Sequence, residues 1–109
     1  MRGMRSPAVR DRLYRVASAG RGAELDIVSY DAGGADKSVS VAIANFIFGR
    51  TLRADGGLKE YRYPGLIEKP GVAWIGQSVF LVTQVRSKEL RSFLDRKGVA
   101  YARIRVRVV

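Results

Sequence analysis

The sequence predicts an α+β fold, a mainly antiparallel four- to five-stranded sheet with about three helices packed on one face, in one domain spanning residues 1–109. Three observations lead there. Residues 99–109 alternate apolar and charged side chains with the period of a strand. Two stretches, 37–48 and 88–97, carry apolar residues at helical spacing between a capping residue and a glycine. Asp55-Gly56-Gly57 separates two short arms, as a hairpin connection requires.

In order along the chain, residues 1–5 form a basic tail with no pattern. Ser6 as N-cap and Pro7 at the first helical position start a helix whose buried stripe is Val9, Leu13, Val16 and Ala17. Arg10, Arg12 and Arg15 point outward, either to solvent or to phosphate, and Gly20 and Gly22 end the helix. Residues 23–30 read as a strand with Leu25 and Ile27 on one face and Glu24, Asp26 and Val28 on the other. Asp36 caps a helix over 37–48, stopped by Gly49, although Ser38-Val39-Ser40-Val41 alternates locally like a strand. Val39, Ala42, Ile43, Phe46 and Ile47 make one stripe of this helix, and Val41, Ala44 and Phe48 make a second. A helix apolar on two sides needs two burying surfaces, so a homo-oligomer, dimer or tetramer, is expected.

The hairpin covers 49–64, and its second arm sets Lys59, Tyr61 and Tyr63 on one face. Pro64-Gly65 and Pro70-Gly71 bracket an ordered loop. Trp74 lies between glycines, where a ring of its size favours burial in the core over exposure to a ligand. Residues 78–85 form a central strand, and Ser87 caps a helix over 88–97 with Leu90, Phe93 and Leu94 inside. In the last strand Tyr101, Arg103, Arg105 and Arg107 share one face, while Ala102, Ile104, Val106 and Val108 share the other. Helices on one side of the sheet would leave the basic and aromatic rows on its open face.

Composition narrows the chemistry. Twenty basic residues, fifteen of them arginine, face ten acidic ones, for a net charge of +10. Such an excess attracts polyanions, and arginine adds stacking and bidentate phosphate contacts. There is no cysteine and no histidine, which removes disulfides, thiolate sites and the usual general base. Gly33-Gly34 before Lys37-Ser38 lacks phosphate-loop spacing. No apolar run approaches the roughly 20 residues of a membrane span, so a cytoplasmic, non-catalytic protein without cofactor or metal is expected. One asparagine and two glutamines fit a thermophilic source or an arginine-rich genome.

Three like charges two residues apart on one strand face repel each other, and a polyanion would relieve the repulsion; charge that keeps an edge strand from aggregating is the alternative. The candidate nucleic-acid-binding residues are therefore Arg50, Arg53, Lys59, Tyr61, Tyr63, Tyr101, Arg103, Arg105 and Arg107. The expected function is sequence-independent binding of single-stranded nucleic acid, DNA favoured over RNA; an RNA-binding or ribosome-associated protein is the alternative, and an acidic protein partner a third class. Through Lys59-Glu60-Tyr61-Arg62-Tyr63-Pro64-Gly65, Gly76-Gln77-Ser78-Val79-Phe80 and the arginine-rich last strand, the chain resembles the ThermoDBP-related archaeal single-stranded DNA-binding proteins. That resemblance implies small subunits that assemble and hold single-stranded DNA without sequence preference.

Overall fold

The computed structural model describes residues 11, 13–18 and 20–109. Residues 13–17 are helical (α1), followed by β1 (Glu24–Asp31), α2 (Lys37–Phe48), β2 (Gly49–Ala54), β3 (Lys59–Pro64), β4 (Val72–Gly76), β5 (Val79–Thr83), α3 (Gln84–Arg96) and β6 (Ala100–Arg107). The expected cap at Ser6 and Pro7, the basic tail, and Val9, Arg10 and Arg12 lie outside the described residues.

Strands β4, β5, β1 and β6 form, in that order, a four-stranded antiparallel sheet. Of its two inner strands β5 is nearly all apolar, whereas β1 alternates apolar and polar residues and buries Leu25, Asp26 and Val28. Register sorts the side chains. Val28 pairs with Phe80 and with Arg103, and Asp26 with Val82 and Arg105, so these residues share one face. Leu25, Ile27, Leu81, Ile104 and Val106 share the other.

Helices α2 and α3 cover the first face. Ile43, Ile47, Leu90 and Leu94 bury there against Val28, Phe80 and Val82, with Leu66 and Val72 closing the cluster. Within α2 only the first of its two apolar stripes is buried; Val41 stays 50% exposed. The helix begins at Lys37 and ends at Gly49, whose φ of 81° suits a residue without Cβ. The strand-like alternation at 38–41 thus yields to the helix.

Two expectations need correction, and one strand carries no signal in the sequence. Helix α1 packs on the opposite face from α2 and α3, with Leu13 and Val16 against Leu25, Ala73, Leu81 and Val106. Helix α3 starts at Gln84, with Thr83 at the N-cap position making no side-chain capping hydrogen bond, and Ser87 lies inside it, fully buried. The pairing of β5 with β1 stops at Thr83, so the next backbone groups find partners only in a helical turn. Finally, Val72–Gly76 is a strand, five residues long, carrying Trp74 at the sheet edge.

Strands β2 and β3 pair only with each other, in a separate two-stranded ribbon. All six residues of β3 are exposed, as are the four central residues of β2. A lone hairpin is marginal in water, so its root must be held. The root is Gly49 beside Gly65: a Cβ on Gly65 would run into the Gly49 nitrogen and the Ile47 carbonyl. Arg62 clasps it from outside, donating to the Phe48 carbonyl at 3.4 Å, to its neighbour's Tyr63 carbonyl at 3.2 Å and to Glu68 at 2.5 Å. Glu68 in turn accepts from the Gly65 amide at 2.8 Å.

Candidate nucleic-acid interface

The nine candidate residues fall into two groups. The antiparallel register of the ribbon opposes Arg50 to Tyr63, Leu52 to Tyr61 and Ala54 to Lys59, which brings Arg50, Lys59, Tyr61 and Tyr63 together on one face with Leu52. Tyr61 and Tyr63 are each 48% exposed. The Arg50 guanidinium lies 5.5 Å from the centre of the Tyr63 ring, a cation–π contact that leaves its charge free for phosphate. Lys59 reaches Asp55 at 3.7 Å, an exposed pair of little strength. Arg53 lies on the reverse face, 3.2 Å from the Glu60 carboxylate directly opposite it.

The β6 group is placed differently from the expectation. Tyr101, Arg103, Arg105 and Arg107 do not line an open sheet face; they lie on the face that carries α2 and α3. Tyr101 packs against the core and its hydroxyl donates to Asp95 of α3 at 3.4 Å, so it is no stacking platform. The arginines have their counter-charges on β1. Arg107 is paired in register with Glu24 and Arg105 with Asp26. Arg105 donates through Nε to Asp26 at 2.5 Å and through Nη1 to Glu24 at 3.2 Å. Arg107 donates to the other Glu24 oxygen at 3.2 Å, and Arg103 stands 3.8 Å from Asp26. The repulsion along β6 is thus relieved within the protein. The signal for this is in the sequence: Glu24 and Asp26 repeat with the same period of two as Arg103, Arg105 and Arg107.

The electrostatics of this cluster follow from burial and pairing. Burial of Asp26 pushes its carboxyl up, but hydrogen bonding from Ser87 and Arg105 overcomes that push and holds the pKa below its ordinary value. Hydrogen bonds from Arg107 and Arg105 lower the pKa of Glu24 as well, and Asp26 raises that of Arg105. Ser87 links the cluster to α3, since its hydroxyl also accepts from Arg91 Nε at 2.9 Å. Periodicity alone did not identify Ser87 and Arg91 as members.

The opposite sheet face is apolar where α1 does not cover it: Ile75 is 38% and Ile104 59% exposed. Trp74 is 41% exposed, against the expectation of a core position, because β4 is an edge strand and the indole meets the edge of one ring, Phe48. Among the described residues no group of three or more carboxylates could hold a metal ion, and no helix is long and apolar enough to cross a membrane. Comparison with models of protein families, with curated proteins and with solved structures gives no match.

Proposed function

We propose that this chain binds single-stranded nucleic acid without sequence preference, through the ribbon face that carries Arg50, Lys59, Tyr61 and Tyr63. The observation that carries the reading is a two-stranded ribbon exposed on both sides, in which two half-exposed tyrosines lie among cations on one face. Every base offers a π-face to an aromatic ring, so such a surface accepts any sequence, and only unpaired bases can reach it. Arg50 and Lys59 supply phosphate contacts, and the net charge of +10 draws the polyanion from a distance. DNA is the favoured ligand, in keeping with the resemblance to ThermoDBP-related single-stranded DNA-binding proteins; RNA is the alternative. The reading requires no catalysis and no cofactor. The β6 arginines, partly neutralised by Glu24 and Asp26, play a lesser part. Subunits associate through apolar surface left open in one copy, to which Val41 and Ile104 belong.

The test is a titration of a labelled oligo-dT at several salt concentrations, followed by light scattering of the free and bound protein. Binding should weaken with salt by a log–log slope of about 0.7 per phosphate neutralised. Competition by folded RNA or duplex DNA at equal strength would replace the single-strand assignment. Absence of binding at low salt would end the nucleic-acid reading, and a monomer in both states would end the proposal of assembly.

A further inference from the structure

We infer that Trp74 continues the ribbon's binding surface onto the main sheet, as a further base-stacking residue. The inference rests on the nucleic-acid reading of the ribbon and names a residue that the ribbon itself does not contain.

Trp74 pairs in register with Phe80 and lies on the same sheet face. Phe80 is fully buried, yet Trp74 keeps 41% of its surface exposed. The difference comes from position. Strand β4 is the outermost strand, and the ring contact that the indole makes is with Phe48, at 5.0 Å between centres and 70° between planes. An edge-to-face contact uses one side of the pair and does not enclose the indole. Tryptophan is the side chain whose burial a fold gains most from, so a half-open one beside a fully buried Phe80 is informative.

Its location gives that exposure a use. Phe48 is the last residue of α2, and Gly49 and Arg50 follow it directly into β2. Trp74 therefore stands at the foot of the ribbon, one aromatic ring away from the residue that precedes its root. Moving from the tip toward the body, the aromatic side chains met are Tyr61, Tyr63 with Arg50 over it, then Phe48 with Trp74. On this inference a flexible single strand held on the two tyrosines and Arg50 extends past the ribbon root to the indole beside Phe48. Stacking on such a ring is indifferent to base identity, in keeping with the ribbon's own chemistry.

The chain contains one tryptophan, so intrinsic emission reports on this residue alone. The full-length protein is titrated with a fluorescently labelled oligo-dT of about 15 nucleotides, a length that spans the site sizes of such modules. Anisotropy of the label measures binding, and tryptophan emission, with unlabelled oligonucleotide, measures contact. Saturable quenching along the same isotherm is expected. Trp74→Ala should weaken binding roughly 5- to 150-fold, the span of one lost base stack, and Trp74→Phe should restore most of it. Trp74→Phe keeps a ring against Phe48 and controls for folding; where the alanine variant unfolds, the emission of the single tryptophan decides the matter. Binding by anisotropy with unchanged emission, or a folded Trp74→Ala variant that binds as tightly as the parent, overturns the inference and leaves the ribbon reading in place. Absence of any anisotropy change overturns both.

Discussion

The ribbon reading predicts that aromatic and cationic contacts can be removed independently, each with its own signature. Tyr61 and Tyr63 lie two residues apart on β3, hence on one face and about 7 Å from each other along the strand. A base stacked on an aromatic side chain is worth roughly 1–3 kcal/mol by alanine substitution. Both rings are 48% exposed, and Arg50 occupies one side of Tyr63 at 5.5 Å, so the lower part of that range applies, about 1–2 kcal/mol each. Tyr61→Ala with Tyr63→Ala should then weaken oligo-dT binding about 30-fold or more, short of the roughly 900-fold that full additivity at the upper value would give. Because no phosphate contact is lost, the dependence of affinity on salt should keep its slope. Arg50→Ala should do the reverse, with a smaller loss of affinity and a slope reduced by about 0.7. Both variants should melt close to the parent, since neither residue enters the core. Anisotropy titrations at four or five salt concentrations measure both quantities. A double tyrosine variant that binds as tightly as the parent, or one that changes the slope while Arg50→Ala does not, refutes the division of labour.

Two further predictions concern what holds the site in place. The lowered pKa of Asp26 means that its contribution to stability is present above its unfolded-state value of about 3.9 and is lost as pH falls through the folded value, so urea midpoints should drop below about pH 4. Asp26→Asn should shrink that drop without abolishing it, because Glu24 and Glu89 are lowered too; an equal drop in parent and variant would show that Asp26 is not the group responsible. At the ribbon root, Gly65→Ala forces its Cβ against the Gly49 and Ile47 backbone and should cost about 1–3 kcal/mol of stability, read by chemical denaturation, whereas Gly56→Ala meets open space at the tip and should cost less through its φ of 62° alone. Equal costs would remove the close approach as the cause.

Much of the fold is legible locally. The helix over 37–48 and the hairpin over 49–64 coincide with their capping and turn signals, because Gly49 and Asp55-Gly56-Gly57 fix the backbone where the elements change. Strand β4 is not legible: the four residues between Gly71 and Gly76 contain no alternation to read, and their strand state depends on β5 as partner. The start of α3 is hidden for a similar reason, since Ser87 reads as a cap until Asp26, sixty-one positions earlier, is brought against it. At the site, alternation correctly grouped Lys59, Tyr61 and Tyr63 and correctly grouped Arg103, Arg105 and Arg107. It could not say what stands across from each row.

That last distinction decides where a polyanion has most to gain. Across from the β6 row the sheet places carboxylates, Glu24 opposite Arg107 and Asp26 opposite Arg105, and an incoming phosphate must compete with groups already held at hydrogen-bond distance. On the ribbon the reverse face is matched in the same way, Arg53 against Glu60. The face proposed for binding is matched only by the weak exposed pair of Lys59 with Asp55 at 3.7 Å. There Arg50 stands opposite Tyr63 and Lys59 opposite Ala54, cations facing neutral partners across the strand pair. A phosphate reaching Arg50 displaces no carboxylate from the residue opposite, and the ring beneath the guanidinium offers its open side to the adjoining base. Basic residues in alternating strands thus give one row that ties β6 to β1 and one face left with charge and aromatic surface to spare. Charge cannot be assigned to a site by its position along one strand; the neighbour in register determines how much of it remains.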